Sequence, residues 1–166
     1  MDSTMIPVCK LARADTHKVA VGIAQFGKNH QGWHYGFKLH ASVDTHGKLC
    51  AVALTSANVY DAQMMPNILN ERTRVAVGDG MYNARVMREY IWEMFGTIIV
   101  APPHPKQKRK ILAGWQYLLL LMRPKIESVF VYLKEHLGLV TSFPRSIKGY
   151  VFHYLRILLG YQLMMM

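Results

Sequence analysis

Ten Asp and Glu stand among 166 residues, so an acid placed where a reaction would want one is easy to notice. Asp79 follows the short apolar run Arg74-Val75-Ala76-Val77-Gly78 and precedes Gly80-Met81-Tyr82. That places it at the carboxyl end of a buried strand, where open α/β sheets hold their ligands. Glu127 lies near the start of an amphipathic helical segment. At about 100° per residue, Arg123 and Lys134 fall about 40° and about 20° from it around the helix. The three share one stripe, and a carboxylate flanked by two cations suits a site that handles metal and phosphate together. Asp2, in Met1-Asp2-Ser3-Thr4, is the third acid of interest. Asp61 reads as a helix N-cap and Asp44 as a turn residue.

Other chemistries find less support. His34 and His40 fall on the polar parity of a strand and read as exposed sheet-face residues. There is no His-x3-His or Cys-x2-Cys pair for zinc and no Gly-x4-Gly-Lys-Ser/Thr loop for nucleotide hydrolysis. Cys9 and Cys50 make no disulfide framework and read as free thiols of a reducing, cytoplasmic compartment. No secretory signal is expected at the start, and residues 111–122 and 151–166 are too short or too interrupted to span a bilayer. Twenty Lys and Arg give a formal net charge of +10 and a pI near 9.8, which favours a polyanionic partner, nucleic acid before any other and no membrane.

The elements that must position these residues follow from periodicity. Residues 1–32 show none and carry Lys10, Arg13, Lys18 and Lys28 together with Gly22, Gly27 and Gly32, which predicts an irregular basic arm. From Trp33 to Val43 apolar residues alternate with polar ones, the pattern of a half-buried strand. Asp44-Thr45-His46-Gly47 supplies a turn, and 48–55, apolar on both parities, predicts a partner strand covered on both faces. A helix is expected over 61–70 with a break at Pro66, and strands over 74–78 and 97–100. Between those strands Asn83 would cap a helix to Phe95 that buries Val86, Tyr90, Ile91 and Met94. Residues 101–110 read as a basic, proline-rich loop, and 111–166 as a helical part with helices near 111–120, 124–137 and 147–164. The whole, 1–166, reads as a single α/β domain, a mixed sheet flanked by helices.

Taken in order, several stretches resemble the DDE transposases of bacterial insertion sequences. They are Asp2-Ser3-Thr4 with Ile6-Pro7-Val8-Cys9; Gly32-Trp33-His34-Tyr35-Gly36-Phe37-Lys38-Leu39-His40; Leu54-Thr55 with Asn58 and Asp61; Gly78-Asp79-Gly80-Met81-Tyr82; and Arg123, Glu127 and Lys134. The last three reproduce an Arg-x3-Glu-x6-Lys signature, and the resemblance runs over about residues 2 to 160.

The resemblance implies a ribonuclease H-like catalytic domain in which Asp2, Asp79 and Glu127 are the catalytic, metal-binding acids. Two divalent ions, Mg²⁺ first and Mn²⁺ second, would act in cutting and rejoining double-stranded DNA at element ends and target, with Arg123 and Lys134 on phosphates. Self-association in a transposition complex is implied as well. Leu120 stands where the signature has an aromatic, and Gly80 where it has a base. The central first strand of that fold would precede Asp2, so the chain is expected to be an amino-terminally truncated, inactive copy whose missing part is encoded in an upstream reading frame. Two other readings remain open from the residues: another ribonuclease H-like nuclease, and a non-catalytic basic nucleic-acid-binding protein.

Overall fold

The computed structural model describes residues 1–103, 112–141 and 143–166. Most of the basic loop expected over 101–110, with its cationic run at 106–110, lies outside the described residues. So does residue 111, where the helical part was expected to begin.

The described chain is a mixture of strands and helices. A four-stranded sheet is built around β3 (Gly32–Val43), with β1 (Asp2–Pro7), β2 (Gln25–Asn29) and β4 (Leu49–Ser56) all pairing to it in the order β1-β3-β2 and β4 off that path. β2 runs antiparallel to β3, from Gln25 opposite Gly36 to Asn29 opposite Gly32, so His30 and Gln31 form a two-residue hairpin. A separate parallel pair joins β5 (Val75–Val77) to β6 (Ile98–Val100) through the helix α2 (Arg85–Phe95), because parallel neighbours need a crossover. Between β4 and β5 a 3₁₀ turn, Asp61–Met64, leads into the single turn α1 (Met65–Ile68). The carboxyl-terminal helices are α3 (Gly114–Leu120), α4 (Pro124–Val131) continued by a π turn (Tyr132–His136), and α5 (Ile147–Met164).

Several sequence expectations need correction. Residues 1–32 are not an irregular arm: they hold β1, β2 and a 3₁₀ helix, Leu11–Thr16. The two hairpin strands exchange roles. β3 is buried without interruption from Gly36 to Ser42, whereas β4 alternates, with Cys50, Val52 and Leu54 exposed. The cause is position, since β3 lies in the middle of the sheet and β4 pairs with it alone. The helix expected over 61–70 is two short turns, and Pro66 sits inside the start of the second, where a missing N–H costs nothing. α2 begins at Arg85 with Ala84 at its N-cap, not at Asn83, and of the four residues expected on its buried face only Ile91 is fully buried. Met87 and Phe95 pack on the core instead of Val86, Tyr90 and Met94.

The chain packs into two compact units, one holding Met1–Asp2, His40–Ala53 and Tyr60–Glu127, the other Ser3–Leu39, Leu54–Val59 and Ser128–Met166. The core of the first gathers Met65, Ile68 and Leu69 with Ala76, Tyr82, Ile91 and Ile99. In the second, α5 buries Tyr150, Tyr154, Ile157 and Tyr161, a stripe at helical spacing. Phe37 meets Tyr150 and Tyr154 edge-on, both with ring centres 6.3 Å away, and the Tyr150 hydroxyl donates to the Val8 carbonyl at 3.3 Å. No described helix is long and apolar enough to cross a membrane.

Candidate active site

Asp79 lies two residues beyond β5, in extended conformation at the head of a 3₁₀ turn, Gly80–Tyr82. One carboxylate oxygen, Oδ1, accepts from the Met81 N–H at 2.8 Å, which fixes the side chain at the strand end where the sequence placed it. The turn then carries Tyr82 into the core, fully buried. Burial first, and then the charges of Asp61, Asp2 and Asp79, push the Tyr82 hydroxyl far above its ordinary pKa. These three acids therefore share one electrostatic neighbourhood in the first unit. The buried α-amino group of Met1 donates to the Val77 carbonyl at 2.7 Å. Burial above all, with a smaller push from the Arg123 charge, lowers its pKa to about 6 against the opposing pull of Asp2, Cys50 and Asp79.

Tyr82 is a residue that the sequence reading did not single out. Its hydroxyl has no hydrogen-bond partner among the described residues, and a buried hydroxyl left unpaired costs about 1–3 kcal/mol. Tyr82→Phe is accordingly expected to leave stability unchanged or raise it by up to about 1 kcal/mol. A urea midpoint displaced toward lower denaturant by more than that would mean the hydroxyl has a partner.

His40 and Asp61 were also read differently. His40, expected on an exposed face, is fully buried, and its Nδ1 lies 3.7 Å from Asp61 Oδ1. Asp61 opens the 3₁₀ turn as its first residue, the N-cap position being Tyr60. A signal was present for both, since each belongs to the stretches that carry the family resemblance.

Arg123 and Glu127 form the ion pair that their four-residue spacing allows, Nη2 to Oε1 at 3.0 Å, with 36% and 51% of the two side chains exposed. Arg123 also lines a cavity of about 300 Å³ with Met1, Val77, Met122 and Ile126. Its Nε is buried with no partner among the described residues. Lys134 belongs to the second unit. The stripe drawn at 100° per residue does not reach it on a regular helix, because the backbone widens into the π turn at Tyr132. Burial lowers the Lys134 pKa, and that of His34 falls through burial first and then the charges of Lys134 and His30.

Whether these residues suit divalent ions can be tested on the geometry. Among the described residues no group of three His, Cys, Asp or Glu is arranged to hold a metal ion. Asp2 and Asp79 share a neighbourhood, one Asp79 oxygen is committed to Met81, and Glu127 is engaged by Arg123. As folded, the three acids do not form a metal cage. No solved structure matches the chain. Over residues 1–147, however, it matches the family model described as the transposase DDE domain, and with that match spanning most of its length, the chain belongs to that family.

Proposed function

We propose that the chain is the catalytic domain of a transposase, ribonuclease H-like in fold, which cuts and rejoins phosphodiester bonds at the ends of a mobile DNA element. Asp2, Asp79 and Glu127 are its catalytic acids, and Arg123 and Lys134 its contacts to phosphate. The observation that carries the reading is the family match over 147 of 166 residues, with Asp79 fixed at the end of β5. Divalent ions, Mg²⁺ or Mn²⁺, belong to this reading as expected cofactors; the acids as folded do not yet suit them.

The chain's own residues supply a reason. An exposed ion pair such as Arg123–Glu127 is worth only about 0–1 kcal/mol. A DNA phosphate offers the guanidinium a doubly hydrogen-bonded partner, so DNA exchanges for Glu127 at Arg123 and releases the carboxylate. Arg123 thereby couples substrate binding to the freeing of the third acid.

Nicking of supercoiled plasmid by the purified chain, with Mg²⁺, with Mn²⁺ and with EDTA, tests this directly. Ion-dependent nicking and joined products with wild type, lost in Glu127→Ala, would support the catalytic reading and overturn the expectation of an inactive, truncated copy; binding without cutting in either ion would uphold that expectation. Salt-sensitive DNA binding that is indifferent to Mg²⁺ and to Glu127→Ala, with no cut products, would instead favour a non-catalytic DNA-binding protein. That second reading draws on the absence of a three-acid metal group among the described residues.

A further inference from the structure

The positive charge is unevenly shared between the two units. The second holds nine Lys and Arg but only two acids, Asp15 and Glu135. It also contains an open cleft of about 470 Å³, lined by Arg13, Thr16, His17, Lys18, Phe143 and Arg145 together with Val19 and Pro144. That volume lies within the range of about 300–1,000 Å³ usual for ligand sites. The lining comes from two stretches far apart in sequence, the end of the Leu11–Thr16 turn and the segment before α5, where Ser146 caps the helix by accepting from the Gly149 N–H at 3.1 Å.

Three features of the cleft ask for a ligand. Arg13, Lys18 and Arg145 face water with no ion-pair partner among the described residues. Like charges gathered around one opening repel, and an anion relieves them. His17 Nε2 is buried and has no hydrogen-bond partner among the described residues, its ring held edge-on to Tyr35 at 6.1 Å. Phe143 is 88% exposed, an aromatic ring left almost wholly in water.

We infer that this cleft binds an unpaired stretch of nucleic acid, with Arg13, Lys18 and Arg145 on successive phosphates and one base stacked on Phe143. Cations that follow a backbone beside an exposed ring are what single-strand recognition uses. A duplex could use the cations but not the ring, because its bases are already stacked on one another. The inference rests on the reading of the chain as a DNA-handling protein and adds to it a second contact, separate from the acids, suited to strands opened at a cut end.

The test uses the full chain and a fluorescein-labelled oligothymidylate, beside a duplex of equal length. Phe143→Ala should weaken oligothymidylate binding by roughly 5- to 100-fold and leave duplex binding unchanged. The double variant Arg13→Ala, Arg145→Ala should lower the slope of log affinity against log salt by about 1.4 on the single strand. All three side chains are exposed, so both variants should keep the wild-type urea midpoint. Equal loss on single strand and duplex in the Arg variant, with no effect of Phe143→Ala, would reduce the cleft to a basic patch and overturn the inference. So would a preference for phosphatidylserine vesicles over the oligonucleotide. If the wild-type chain binds no DNA of either kind, the transposase reading falls with it. If it binds and cuts DNA while the cleft variants match wild type, the cleft alone is wrong.

Discussion

Asp79→Asn should abolish nicking while leaving the fold and DNA binding in place. The substitution is chosen for what it preserves. Asp79 Oδ1 accepts from the Met81 N–H at 2.8 Å, and an amide oxygen can accept the same bond, so the turn that delivers Tyr82 to the core keeps its cap. What disappears is one negative charge in the neighbourhood shared with Asp2 and Asp61. A loss of about 1,000-fold in nicking rate, about 4 kcal/mol of transition-state stabilisation, is expected. Binding of the same plasmid should be unchanged or slightly tighter, because the variant carries one negative charge fewer to repel the DNA backbone. Two results would count against the assignment. A variant that nicks within a few-fold of wild type would remove Asp79 from the chemistry. A variant whose urea midpoint falls with its activity would show that the carboxylate serves the fold, and Asp61→Asn could then be compared as the other acid beside Tyr82.

Asp79 was legible because a short apolar run ending in an acid says both strand and strand end. Glu127 and Arg123 were legible as a pair, since helical spacing of four brings them together whatever surrounds the helix. Lys134 was not, because nothing in Tyr132–His136 announces a π turn. The same limit governs the sheet. Alternation from Trp33 to Val43 marks a strand, but it does not tell how many strands pair with it. On a middle strand the polar parity is buried too, and Lys38 and Ser42 each reach a backbone carbonyl while His40 comes near a carboxylate. Lys38 Nζ donates to the Val59 carbonyl at 2.8 Å, Ser42 Oγ donates to the Ile68 carbonyl at 2.6 Å, and His40 approaches Asp61. Buried polar groups tolerate such places only when they are paired, and those pairings join residues 21 to 26 positions apart, beyond what any local pattern reports. β2 escaped notice for a different reason. Gln25-Phe26-Gly27-Lys28-Asn29 has little strand propensity, and its place comes from pairing with β3.

Two glycines of β3 separate the constraints that such a middle strand imposes. Gly32 has φ +115 with open space where a Cβ would stand, so Gly32→Ala meets backbone strain alone. Gly36 has φ +157, and a Cβ there would run into the Ile6 carbonyl and come within 2.9 Å of the Val8 nitrogen. Both neighbours are backbone atoms of a segment that has no freedom to yield. Val8 N–H donates to the Tyr35 carbonyl at 3.1 Å, Ala57 N–H donates to the Gly36 carbonyl at 3.2 Å, and Ile6 and Val8 are fully buried. Gly36→Ala must therefore push β1 off β3 or bend β3 itself. Strain of about 1–3 kcal/mol and overpacking of about 1–3 kcal/mol act together, for a loss of about 2–6 kcal/mol. Gly32→Ala should lose about 1 kcal/mol. Against a domain stability of about 5–15 kcal/mol, the first can leave much of the protein unfolded at 37 °C while the second leaves it folded. Urea unfolding of both variants reads the difference. Equal losses would mean that β1 gives way freely at Ile6. A Gly36 loss several-fold the larger would show that β1 is clamped onto β3 there, next in line along the strand that opens with Asp2.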